Sequence, residues 1–125
     1  MKKLLVVDDD AFLRDLYVAK FQESEFDVVS AGDATQAMGI ISRSADFDVI
    51  LLDMTMPGLG GIELLQEIKD CFPDMQAKYI FLSNQGQPAD AAATETSSAI
   101  GYIIKTESIP SEVVSKVSHL ISLQS

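Results

Sequence analysis

The chain has 125 residues, 47 % of them hydrophobic and 22 % charged, which fits one globular domain over residues 1–125 and excludes a disordered chain. Nineteen Asp and Glu against nine Lys and Arg leave a formal charge of −10, which disfavours both the phosphate backbone of nucleic acids and anionic membrane surfaces. A single cysteine, Cys71, rules out an internal disulfide.

In chain order, apolar runs alternate with amphipathic segments. Lys3–Val7 is an apolar run stopped by Asp8-Asp9-Asp10, too short for a secretory h-region of about 7–15 residues; it reads as a buried strand in a cytoplasmic protein. Residues 11–21 set Leu13, Leu16, Tyr17 and Phe21 on one helical stripe, with Asp10 as N-cap. Residues 26–31 form a second strand closed by Gly32. Asp33 caps a helix that turns Ala34, Ala37, Met38 and Ile41 inward. Residues 48–52 hold Val49-Ile50-Leu51-Leu52, a continuous apolar run that suits a central parallel strand.

Pro57, Gly58, Gly60 and Gly61 mark a loop, followed by a helix over 62–70 that buries Leu64, Leu65 and Ile68. Strands follow at 79–82 and 102–104. Between them Pro88 is placed to open a helix, and the last helix begins at Pro110, burying Val113, Val114, Val117, Leu120 and Ile121. Cys71 is expected to be partly buried, His119 to be solvated, and the five Met residues to serve packing.

This order is β-α repeated five times, (βα)5. It predicts an α/β fold with parallel strands, right-handed crossovers and helices on both faces, a doubly wound sheet. Ligands of such sheets bind beyond the carboxyl ends of the strands. Those ends carry Asp8, Asp9 and Asp10 after the first strand, Asp53 after the third, Ser83 after the fourth and Lys105 after the fifth.

Taken singly, an Asp run is usually a solvated turn and a lysine after a strand a surface lysine; the signal is that four strand ends carry compatible groups. If the first and third strands are neighbours, Asp8, Asp9 and Asp53 converge, and ionised carboxylates in contact need a proton or a cation. Hard oxygens without His or Cys suit Mg²⁺. With Lys105 opposite, the set favours phosphoryl transfer. Asp53 is the best nucleophile candidate, and Ser83 is placed to hydrogen-bond a phosphoryl oxygen.

Leu4-Leu5-Val6-Val7-Asp8-Asp9-Asp10, Asp53-Met54-Thr55-Met56-Pro57 with Gly61, Ser83, and Tyr102-Ile103-Ile104-Lys105 together resemble the response-regulator receiver domains of two-component signalling, over nearly the whole chain. The resemblance implies a flavodoxin-like five-stranded sheet in the order 2-1-3-4-5. It implies that Asp53 accepts a phosphoryl group from a phosphohistidine on a sensor histidine kinase or a histidine phosphotransfer protein. It further implies that Asp9 contacts Mg²⁺ directly, Asp8 acts through water and the Thr55 carbonyl completes the ligands. Lys105 would pair with the carboxylate and then the phosphoryl group, and Ser83 and Tyr102 would form the switch. Such a domain catalyses its own phosphorylation and dephosphorylation without being a conventional turnover enzyme.

The output surface implied is the fourth helix, fifth strand and fifth helix. Because the last helix uses up the chain, output is expected through a downstream protein target, from a monomer or weak dimer without direct nucleic-acid or membrane contact.

Three positions depart from the family pattern. Thr106 stands where a proline, often after a cis bond, is usual; a cis bond before a non-proline residue costs about 2.5–4 kcal/mol, so the loop holding Lys105 is expected to differ. Asn84 stands in place of Ala or Gly, where its bulk narrows phosphoryl access, and Gly60 in place of Asp. Two other readings fit parts of the sequence. One is a receiver-like interaction module that does not cycle phosphate. The other is a phosphatase of the Asp-x-Asp type built on Asp8 and Asp10, against which Phe12 replaces the Thr or Val expected there and no cap domain fits.

Overall fold

The computed structural model describes residues 1–84 and 97–123. Five strands, β1 (Lys3–Val7), β2 (Asp27–Ala31), β3 (Val49–Asp53), β4 (Lys78–Ser83) and β5 (Gly101–Ile104), form one sheet in the order β2-β1-β3-β4-β5. Every pairing is parallel. Helices α1 (Ala11–Glu23), α2 (Ala34–Arg43), α3 (Gly61–Cys71) and α4 (Pro110–Ser122) follow β1, β2, β3 and β5, and a 3-10 turn spans Lys105–Glu107. The helix expected to open at Pro88 lies outside the described residues; α4 is the helix expected as the fifth.

Burial on both sheet faces explains the continuous apolar runs. Alternate residues of one strand serve opposite layers. Leu5, Val7, Ile50, Leu52, Tyr79 and Phe81 join Ala37 and Ile41 of α2 and Leu64, Leu65 and Ile68 of α3. Leu4, Val6, Val49, Leu51, Ile80, Leu82 and Ile103 join Tyr17 and Phe21 of α1 and Val113, Val114 and Val117 of α4. All five residues of β3 are buried, as its central position requires.

Asp10 and Asp33 cap α1 and α2 as expected, accepting from the amides of Leu13 (3.1 Å) and Gln36 (2.8 Å). Pro110 takes the first turn of α4, and the Glu112 carboxylate accepts from the Ile109 amide at 3.1 Å.

Three expectations of burial need correction. Leu16 is 37 % exposed: the buried line of α1 follows the four-residue steps Leu13–Tyr17–Phe21, which leaves Leu16 on its outer flank. Cys71 is exposed, because Phe72, four residues after the buried Ile68, packs on the core instead. Leu120 and Ile121 are only half-buried beside the fully packed Val113 and Val117. His119 is exposed, as expected.

Candidate functional site

Register builds the site. Val7 pairs with Leu52, so Asp8, one residue on, lies alongside Asp53 where the strand order reverses between β1 and β3. Asp53 pairs with Leu82 and Leu82 with Ile103, and Lys105 stands two residues beyond Ile103. Asp8, Asp53 and Lys105 thus share the parity of Val6, Leu51 and Ile103, the residues of the α1–α4 layer. Ser83 and Tyr102 carry the opposite parity; Ser83 is buried at the end of β4, and half-buried Tyr102 packs on the α2–α3 layer.

The sequence-predicted acids do meet. One carboxylate oxygen each from Asp8, Asp9 and Asp53 lie within 4.8 Å of one another. Asp8 and Asp53 are essentially inaccessible, and Asp9 is exposed at the rim. Lys105, expected after a strand and often a surface residue there, is buried: Nζ lies 2.8 Å from Asp8 Oδ2 and 3.5 Å from Asp53 Oδ2. Asp8 Oδ1 accepts from the Asp10 amide at 2.9 Å. Asp53 Oδ1 accepts from the Thr55 amide (3.0 Å) and from the Thr55 hydroxyl (3.2 Å).

The charges settle unequally. Burial pushes the Asp8 carboxyl up to about 6, against the pull of Lys105 and the Asp10 amide. Asp9 is raised by loss of solvent and by the neighbouring Asp53 carboxylate. Burial also works on Asp53, but the Thr55 amide and the Lys105 ammonium outweigh it and hold this carboxyl below the usual range. For Lys105 burial is outweighed in turn by Asp8 and Asp53, which raise it. Asp53 is therefore the carboxylate kept ionised, while Asp8 retains affinity for a proton.

The donor set fits Mg²⁺. It consists of hard oxygens only, and Asp8 Oδ2 is buried without a hydrogen bond among the described residues, although the Lys105 ammonium lies close enough for an ion pair. Asp10, by contrast, is committed to capping α1.

Other contacts at the site carried no sequence signal. Arg14 Nη1 donates to the Asp8 carbonyl at 2.7 Å. Asn84 Nδ2 donates to Thr55 Oγ1 at 2.8 Å, and Thr106 Oγ1 to the Asn84 carbonyl at 2.9 Å. The bond before Thr106 is trans, and Lys105 opens the 3-10 turn. Among the described residues no helix is long and apolar enough to cross a membrane.

Comparison with known proteins gives the arrangement its context. The family model described as "Response regulator receiver domain" matches residues 4–117. The DNA-binding response regulator MtrA of Mycobacterium tuberculosis is 31 % identical over 116 residues, covering 93 % of this chain and 49 % of that protein. The chain thus spans about half the length of the curated relatives it matches. Chemotaxis protein CheY4 of Vibrio cholerae shares the fold, with a TM-score of 0.86 at 22 % identity over 96 % of this chain and 98 % of that one. Response regulator TrrA of Thermotoga maritima, solved in complex with Mg(2+)-BeF, gives 0.78 at 29 % identity over 96 % of this chain and 99 % of that one. With its sheet order, its converging strand ends and a family match over nearly all its length, the chain belongs to the response-regulator receiver domains.

Proposed function

We propose that this receiver accepts a phosphoryl group on Asp53 and that the charge it brings switches a protein-binding face. The observation that carries the reading is the buried Asp8–Lys105–Asp53 ion-pair set at the strand-order reversal, with Asp9 at its rim. Asp53 is held ionised and therefore nucleophilic, and Lys105 stands ready to balance charge on the incoming group.

Asp9 and Asp53 with the Thr55 carbonyl, and Asp8 through water, are the residues that would hold Mg²⁺. The ion would supply charge neutralisation for phosphoryl transfer. TrrA, 29 % identical, was solved with Mg²⁺ and a beryllium fluoride, which supports this assignment.

In the transfer an Asp53 oxygen attacks phosphorus. The bond from phosphorus to the donor atom breaks, and its electron pair leaves with the donor. For a phosphohistidine that donor atom is an imidazole nitrogen; for acetyl phosphate it is the acetate oxygen. The product carries about −1.5 to −2 charge where a single carboxylate charge stood. Lys105 pairs with it, Ser83 moves to donate to it from the end of β4, and Tyr102 on the adjacent strand follows inward.

The donor we assign is a sensor histidine kinase or a histidine phosphotransfer protein. The output face we assign includes β5 and α4; the helix expected to open at Pro88, which would complete it, lies outside the described residues. A cavity of about 320 Å³ lined by Tyr102, Ile103, Ser115, Lys116, His119 and Leu120 opens on it, next to the switch residue Tyr102. Mass spectrometry after incubation with acetyl phosphate and Mg²⁺ tests the acceptor role. The wild type gains one phosphoryl group and Asp53→Ala gains none; equal labelling of both removes Asp53 from the role.

A further inference from the structure

Asp53 is 1 % exposed, so nothing can reach its carboxylate until a neighbour moves. The covering group most easily moved follows from the hydrogen bonds. Lys105 is bound to two carboxylates in a buried ion-pair set, and the Thr55 amide belongs to the backbone. Both are costly to displace. Among the described residues, what remains is a chain of side-chain contacts across the mouth whose two outer links are exposed and neutral and whose inner link ends on the Asp53 carboxylate. Thr106 Oγ1 donates to the Asn84 carbonyl, Asn84 Nδ2 donates to Thr55 Oγ1, and Thr55 Oγ1 donates to Asp53 Oδ1. A hydroxyl has one proton; the Asn84 amide nitrogen can only donate to Thr55 Oγ1, so the Thr55 proton goes to the Asp53 carboxylate. The chain joins the end of β3, the end of β4 and the turn after β5. It also pairs two of the residues that depart from the family pattern, Asn84 and Thr106, with each other.

We propose that Thr55, Asn84 and Thr106 form a clip that shuts the solvent side of the acceptor, and that Asn84 must swing off Thr55 before a phosphoryl group can be seated on Asp53. Asn84 is the moving part. Thr106 is a positioning residue that acts through it, by fixing the Asn84 backbone from the Lys105 turn. The clip restrains loading, because both the Asn84–Thr55 bond and the hydrogen bond that the Thr55 hydroxyl donates to Asp53 Oδ1 must be given up before attack.

The inference rests on the acceptor role of Asp53, and the test separates the two. Labelling by acetyl phosphate with Mg²⁺ is followed over time by mass spectrometry in the wild type, Asn84→Ala, Thr106→Val, Thr106→Ser and the Asn84→Ala/Thr106→Val pair. Loss of one exposed neutral hydrogen bond should speed labelling by about two- to tenfold in Asn84→Ala and Thr106→Val. Thr106→Ser, which keeps the hydroxyl, should label at the wild-type rate. The double variant should be no faster than Asn84→Ala, because the two residues act as one unit.

In the free protein, the Asn84 side-chain amide resonances should shift in Thr106→Val and return in Thr106→Ser, a response that simple loss of stability would not give. An unchanged or slower rate in Asn84→Ala, additive effects in the pair, or amide resonances indifferent to Thr106 would overturn the clip. Absence of labelling in every form, wild type included, would instead remove the acceptor role and the clip's purpose with it.

Discussion

Tyr17 turns a hydroxyl into the α1–α4 layer, fully buried and without a hydrogen-bond partner among the described residues. Burial and the negative charges of Asp8, Asp10 and Asp53 push its phenol up to about 12, so it remains neutral. A buried hydroxyl that lost its water without gaining a partner is a liability, and replacing it with hydrogen removes the penalty. Tyr17→Phe should therefore raise the unfolding free energy by about 1 kcal/mol, measured by urea denaturation; a loss of stability would reveal a partner for the hydroxyl. Gly61 is the opposite case, a site with no room to spare. A Cβ there would sit 2.7 Å from the carbonyl oxygen of Asp53 and 3.1 Å from its carbonyl carbon. Those are backbone atoms of the central strand, so the start of α3 or the acceptor itself must shift. Gly61→Ala should cost about 1–3 kcal/mol in the same assay and slow Asp53 labelling.

At the scale of elements, the end of α1 shows how a local rule is met with an unsuitable residue. The Phe26 amide donates to the Phe21 carbonyl and the Glu25 amide to the Gln22 carbonyl, both at 3.1 Å. The Phe21 and Phe26 rings meet edge to face at 5.2 Å between centroids. This is a Schellman termination with its hydrophobic contact, and it demands a left-handed residue at Glu25, whose φ is 67°. Glycine adopts that conformation without a Cβ penalty. Glu25→Gly should raise stability by about 0.5–1 kcal/mol in thermal or denaturant unfolding, while Glu25→Ala should give no such gain.

The same scale shows what could be read in advance. The strands were legible because burial on both faces writes uninterrupted apolar runs, and Asp10 and Asp33 because caps are local. The register of β1 on β3 then carried three expected acids into contact. Leu16 and Cys71 were misplaced because periodicity fixes a stripe only to within one residue's rotation, and a neighbour, Tyr17 or Phe72, takes the core position. The Asn84–Thr55–Thr106 contacts were illegible for a different reason. Short polar residues on three separate strand ends have no periodic signature, and only the folded sheet brings them together.

For the whole molecule, the acid cluster makes stability, pH and cation concentration one linked problem. Folding raises the Asp8 carboxyl from 3.8 to about 6. The metal-free folded state therefore binds a proton there that the unfolded chain has already released, and this contribution is full below about pH 4 and lost as pH rises through about 6. Asp53, held below its usual value, works in the other direction, its contribution fading only in acid below that range. Near neutral pH the metal-free protein thus keeps an acid cluster of which the Asp8 member is buried and only partly offset by Lys105. A divalent cation bound to the folded state alone stabilises it by mass action, and it must compete with the proton on Asp8. Thermal unfolding with and without MgCl₂ should therefore show a larger gain at about pH 7.5 than at about pH 5, where the proton already occupies the site. Asp8→Asn should flatten that difference, since asparagine has no proton to surrender. Equal stabilisation by Mg²⁺ at both pH values would mean that the ion binds without drawing on Asp8, and would remove this residue from the proposed site.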